Sequence, residues 1–213
     1  MSKRSFSIDR RALLVTGVST VALSACSGII GPPESSPLYL LKPGAPPAGG
    51  PRASWQLSIV LPDAPDSLDT DRIALVQPTN QMDYYANANW QDRLPFLIQS
   101  ALIEAFEASG RTGGVGRDTD GLKSDYLLET DIRDFQARYD APDGIPTAQV
   151  RIAARLIAAR GRLIAQSLSA HAEVSAAQNS VPSVVVAFNQ ALASTIGQIV
   201  DWAVSAPAPS RPQ

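Results

Sequence analysis

Apolar residues along this 213-residue chain recur with two different periods, and the switch between them predicts its elements. Trp55-Gln56-Leu57-Ser58-Ile59-Val60-Leu61 alternates around Leu57, Ile59 and Leu61, the period of two that a half-buried strand requires. Leu38-Tyr39-Leu40-Leu41 and Ile73-Ala74-Leu75-Val76 are shorter apolar runs that read as strands, the second stopped by Pro78. From Leu94 the period lengthens. Leu94, Leu97, Ile98, Ala101, Leu102, Ala105 and Phe106 share one face at three-four spacing, which predicts a helix. Pro95 suits its first turn, Asn89 or Asp92 is the expected N-cap, and Gly110 ends it. Ser124–Tyr139, Ala148–Ala159 and Leu163–Val174 read as three long strands joined by short turns, an antiparallel meander. A second amphipathic helix spans Ser183–Val204, with Val185, Phe188, Leu192, Ile196, Ile199 and Ala203 on one face. The fold class expected is α+β: a largely antiparallel sheet with two long helices packed on it, because two apolar stripes need a common surface.

Between these elements the chain is polar or broken. Pro43–Ala53 and Pro62–Asp71 read as loops, and Arg111–Lys123 is rich in glycine and aspartate. Residues 205–213 form a proline-rich tail that reads as disordered.

The N-terminus follows a different pattern. Lys3, Arg4, Arg10 and Arg11 precede an apolar run from Ala12 to Leu23, and Leu23-Ser24-Ala25-Cys26 closes it. A dozen apolar residues fall short of the roughly 20 that cross a bilayer. Small residues before a cysteine are what a lipoprotein signal peptidase admits. Residues 1–25 are therefore read as a signal peptide, removed by ordinary Sec-type export, and Cys26 as the lipidation site. Cys26 would carry a covalent diacylglycerol and an N-acyl chain such as palmitate, two or more chains giving a lasting anchor. Ser27 after the cysteine favours the outer membrane over inner-membrane retention. Residues 26–37 form a tether reaching at most roughly 35–40 Å, and 38–204 form the domain.

Removing residues 1–25, which carry a net of three positive charges, takes the formal charge from −2 to −5. So weakly acidic a chain has no electrostatic reason to seek nucleic acid or anionic headgroups. The single cysteine leaves no disulfide, so the fold rests on its core. The chemistry is sparse. His171 is the one histidine and reads as a solvated strand position. Gly113-Gly114-Val115-Gly116 lacks the Gly-Lys-Ser/Thr ending of a phosphate loop and reads as a flexible turn. Asp118-Thr119-Asp120-Gly121 lacks the later ligands of a calcium loop, and the pairs Asp69/Asp71 and Asp131/Asp134 read as solvated. No enzyme, cofactor or metal is expected. Tyr84, Tyr85 and Trp90 cluster ahead of the first helix in an aromatic-poor chain. They read first as a hydrophobic plug closing one end of the sheet; the functional reading makes them the candidate partner-binding residues, since Tyr and Trp suit a surface with one wet edge. Trp202 reads as core.

In order and spacing these segments resemble the ABC-type transport auxiliary lipoproteins of the PqiC/YmbA kind, from Cys26 to about Val204. The residues that carry the resemblance are Leu38-Tyr39-Leu40-Leu41, Ile59-Val60-Leu61-Pro62 and Leu68-Asp69-Thr70-Asp71-Arg72-Ile73-Ala74-Leu75. To these are added Tyr84-Tyr85, Asn89-Trp90-Gln91-Asp92-Arg93-Leu94-Pro95, Asp125-Tyr126-Leu127-Leu128, Ile132-Arg133-Asp134-Phe135 and Asp201-Trp202. The family often has Trp-Ala-Glu where Trp90-Gln91-Asp92 stands. The resemblance implies a fold similar to the TolB N-terminal domain and no enzymatic activity. It also implies an outer-membrane anchor facing the periplasm, and partnership with an MCE-domain protein and its ABC permease and ATPase in moving lipids between the two membranes. A homo-oligomer matching a multimeric MCE tube is compatible with this, although no residue pattern demands one.

Overall fold

The computed structural model describes residues 36–44 and 49–208. The expected signal peptide 1–25, Cys26, the tether up to residue 35 and the tail from 209 lie outside the described residues.

Eight strands and two long helices follow in the order β1 Leu38–Tyr39, β2 Gln56–Ile59, β3 Arg72–Val76, β4 Met82–Trp90, α1 Leu94–Ser109, β5 Gly114–Arg117, β6 Tyr126–Arg138, β7 Thr147–Ala158, β8 Ile164–Ser175 and α2 Val181–Val204. A 3-10 turn at Asp118–Asp120 separates β5 from β6. The fold is α+β, as expected, but the sheet is mixed. The meander β6-β7-β8 is antiparallel over its full length, from Tyr126↔Ala158 to Arg138↔Thr147 and from Thr147↔Ser175 onward.

The other edge of β6 is shared by two short strands. β2 runs parallel to Tyr126–Leu128 and β3 parallel to Ala137–Arg138. The loop between them bridges the gap. The Asp63 N–H donates to Thr130 O (2.9 Å), and the Ile132 N–H donates to Asp63 O (2.8 Å). β5 extends the sheet beyond β2 in parallel, while β4 pairs antiparallel with β3 and parallel with β1.

β4 and β5 were not expected as strands. β4 has no clean alternation because a bulge interrupts it: Arg72 pairs with Asn89 but Ala74 with Tyr84, and Asn87 inside the bulge takes φ 52°. β5 replaces the expected flexible turn at 113–116. Gly113 lets it approach β2, since a Cβ there would lie 2.8 Å from Ser54 O. The start of α1 also differs. Arg93 is the N-cap, without a side-chain cap, because Asn89 is still paired within β4 and the Asp92 carboxylate accepts from the Arg93 N–H instead (2.7 Å). Pro95 in the first turn and Gly110 at the left-handed C-cap stand where the sequence placed them.

α2 packs on β7 and β8, and α1 on β2, β5 and α2. α2 is long and apolar enough to cross a membrane, yet Phe188, Leu192, Ile196 and Ile199 are buried in the core, so it serves as the core helix of this domain. Gln99 of α1 is buried and donates to Ile59 O (3.0 Å), tying helix to sheet. The opposite face of β6-β7-β8 carries ion pairs, among them Arg151–Asp134, Arg133–Asp131 and Arg155–Glu129 (3.9 Å).

The expected disorder of the tail does not begin at residue 205. Ala206 is buried, and its carbonyl accepts from Trp55 Nε1 (3.3 Å). The Tyr126 hydroxyl donates to Pro207 O (2.9 Å). Trp55 and Tyr126 meet edge to face at 5.3 Å, forming an aromatic clasp that the chain after α2 closes over.

Candidate functional site

β4 delivers the three candidate aromatics to different environments. Trp90 is 1% exposed. Its indole meets Phe135 of β6 at 6.0 Å and Phe188 of α2 at 5.5 Å, both edge to face, while the two phenylalanines stack at 4.8 Å. These are the geometries that aromatic quadrupoles favour. Trp90 thus ties β4 to the central strand and to α2, and its ring presents no surface to a partner.

Tyr84 and Tyr85 are half-buried. The Tyr84 hydroxyl donates to Ser67 O (3.1 Å), and the Arg72 guanidinium lies 3.8 Å from the centre of its ring. The Tyr85 hydroxyl shares a hydrogen bond with Tyr139 (2.9 Å), which in turn donates to Asn179 Oδ1 (2.8 Å). Asn179 Nδ2 completes the chain by donating to Asp143 O (3.3 Å). Burial, and then the hydrogen bond to Tyr139, push the Tyr85 phenol well above the ordinary tyrosine range. Both tyrosines anchor loops while keeping one edge at the surface.

Asp69 pairs with Arg93, whose Nε donates to Oδ1 (3.0 Å), and Asp131 and Asp134 pair with arginines on the polar sheet face. Arg111, buried at the loop after α1, pairs with the exposed Asp201 of α2 and donates from Nε to Pro51 O (3.1 Å). His171 is exposed on β8. Among the described residues no three His, Cys, Asp or Glu side chains converge to hold a metal.

Two features carry no signal that periodicity could reveal. One is a half-open groove of about 760 Å³, formed where Leu41, Lys42 and Pro43 cross α1 beside Phe96, Leu97 and Glu104. The other is the contact of Gln198 with β8, which joins residues 27 apart in sequence.

The sequence profile described as the ABC-type transport auxiliary lipoprotein component matches residues 39–200. The chain belongs to this family. It is similar to the crystal structure of XCC0632 from Xanthomonas campestris, with 27% identity and a TM-score of 0.73 over 79% of this chain and 95% of that one. A second crystal structure, of an uncharacterized protein, shares the fold at a TM-score of 0.59 and 16% identity, covering 72% of this chain and 99% of that one. An uncharacterized Bradyrhizobium diazoefficiens protein, bll6063, is 31% identical over 155 residues, which are 72% of this chain. The chain matches 40% of that relative's length. Membership identifies residues 39–200 as the domain of an ABC-type transport auxiliary lipoprotein component.

Proposed function

We propose that the protein is an outer-membrane lipoprotein, anchored through acylated Cys26 and facing the periplasm, which docks an MCE-domain protein of an ABC lipid transport system. The family match over 39–200 is the observation that carries the reading, because an auxiliary component of an ABC transporter needs a tethered rigid domain. The core clamped by Trp90, Phe135 and Phe188 suits a rigid adaptor. In this reading the domain performs no chemistry and needs no cofactor beyond the lipid on Cys26. The test is affinity purification of the full-length lipoprotein from mildly crosslinked native cells, with captured proteins identified by mass spectrometry. Recovery of an MCE-domain protein is expected. Recovery of only peptidoglycan-linked or assembly-machinery proteins would assign the protein to envelope integrity instead.

The groove beside α1 favours a second reading, in which the domain itself handles lipid. Its volume of about 760 Å³ and its apolar lining of Leu41, Phe96 and Leu97 would hold part of an acyl chain, with Lys42, Asp92 and Glu104 forming a polar lining for a zwitterionic headgroup. Native mass spectrometry of the purified protein would show a bound phospholipid that Leu97→Trp displaces. A lipid-free protein removes this reading and leaves docking.

A further inference from the structure

Among the described residues β8 is the long open edge of the sheet. Its pairing runs along β7 alone, whereas the other outer strands, β1 and β5, have two and four residues. Native sheets blunt such edges with lysine, proline or bulges. Between Gln166 and Ser175 β8 contains no lysine or proline and no shift in register; half of its side chains are Ser or Ala, and Glu173 is its one charged residue.

The exception is at His171, where a side chain stands in for a missing strand. The His171 N–H donates to Gln198 Oε1 (3.4 Å), and Gln198 Nε2 donates to His171 O (2.9 Å). A primary amide thus satisfies one residue of the edge just as a neighbouring peptide group would. Because alternate residues direct their backbone to the same side, Ser167, Ser169 and Glu173 also point their N–H and C=O groups outward. These groups have no protein partner among the described residues.

Apolar side chains are exposed at both ends of the edge. Leu163 (71% exposed) and Ile164 lie at the β7–β8 turn. At the far end Val186 (56% exposed) borders a shallow cavity of about 210 Å³ with Ser175 and Ala177, and Ile145 stands beside Pro146, whose carbonyl accepts from Ala176. The flank of α2 that runs along β8 is polar at Gln190, which lines the same cavity as Ser175, and at Gln198. A second whole domain docked edge to edge would bury little apolar surface against that flank, and stable interfaces bury about 1,200–2,000 Å². A lone strand needs only backbone partners and an apolar anchor at each end.

We infer that the free edge of β8 accepts an extended, largely uncharged segment of a partner protein as a ninth strand, with the Gln198 amide as the placeholder it displaces. The segment spans about ten residues and carries aliphatic side chains towards its two ends. Backbone pairing supplies affinity and the end anchors fix register. The inference does not depend on the transporter reading.

The experiment places a photo-crosslinking amino acid at Ser169 or Glu173 of the full-length lipoprotein in its native cells, with Glu107 on α1 as the control position. The crosslinked segment is then made as a synthetic peptide. Its effect on amide exchange is followed by NMR in the wild-type protein. Expected are adducts to one protein from 169 and 173 but not from 107, and at least tenfold slower exchange at Ser167, Ser169, His171 and Glu173 when the peptide is added. Ser169→Pro, which removes an outward N–H that no neighbour uses, should abolish the adduct from 173. Gln198→Ala should increase it. The inference is overturned if the edge gives no adduct above the control, if the adducts join two copies of this chain, or if the peptide leaves exchange along β8 unchanged. An adduct to a protein unrelated to transport, with the same protection, supports the edge and removes the docking reading.

Discussion

Replacing Trp90 by alanine separates a core plug from a docking surface, because the two assign the same side chain opposite duties. A buried tryptophan removes about 150–250 Å² from water. At about 25 cal/mol per Å² this is roughly 4–6 kcal/mol. Measured truncations of this kind cost about 3–5 kcal/mol, the spread reflecting how far the site collapses. Collapse is restricted here, because Phe135 and Phe188 stack on each other and hold the walls of the cavity open. A loss of about 4 kcal/mol is a large part of the roughly 5–15 kcal/mol that holds a domain folded. In a domain of this size it lowers Tm by about 8–16 °C. Far-UV circular dichroism during urea and thermal unfolding measures it without relying on the deleted fluorophore. Tyr84→Ala, which loses a half-buried ring and one hydrogen bond to Ser67, should cost about 1–2 kcal/mol in the same assay. The reasoning is refuted if Trp90→Ala keeps its Tm within about 2 °C of the parent while partner binding is lost.

Truncation after Ser205 should cost about 2–3 kcal/mol in denaturant unfolding, since it leaves the buried Trp55 Nε1–H without its acceptor and removes that of Tyr126; an unchanged midpoint would refute the clasp. Tyr85 in the folded protein stays protonated at a pH where an unfolded tyrosine ionises, about 10, so the folded state holds the extra proton and stability falls as pH rises through that value. Tyr85→Phe should therefore flatten the alkaline arm of a stability–pH curve, and an unchanged arm would remove Tyr85 as its cause. Cys26→Ala should move the protein from the membrane to the soluble or inner-membrane fraction and abolish its function; full activity in that variant would take the anchor out of the mechanism.

The legible parts of the fold were those where one residue type repeats at a fixed period against one surface. α1 and α2 each bury a single stripe, and β6, β7 and β8 alternate over twelve or thirteen residues, so their existence and order followed from the sequence. β4 and β5 escaped because tertiary partners make them strands. Asp83, Asn87 and Asn89 are poor strand formers, and a bulge erases the period. β5 is a glycine-rich segment straightened by close approach to Trp55, whose carbonyl accepts from the Gly113 N–H (2.9 Å). The aromatic cluster was visible as a cluster, but its division between core and surface was not. That division depends on which side of the bulge each ring falls, and on Phe188 arriving from nearly a hundred residues away. The clasp on Ala206 was hidden for a related reason: it uses backbone carbonyls, which carry no residue identity.

The shared edge of β6 also sets the order in which the chain can acquire structure. β2 and β3 are neighbours in sequence, yet their shared partner β6 begins only at Tyr126, and β2 meets its other partner only at Gly114. As the chain emerges from its N-terminus, the first hundred residues can close little beyond the β3–β4 ribbon and α1, and an isolated two-stranded ribbon is marginal in water. Contacts of such long sequence separation also slow the final step. The topology therefore postpones closure of the sheet until the meander arrives, and couples the leading half of the domain to its trailing half in one cooperative step.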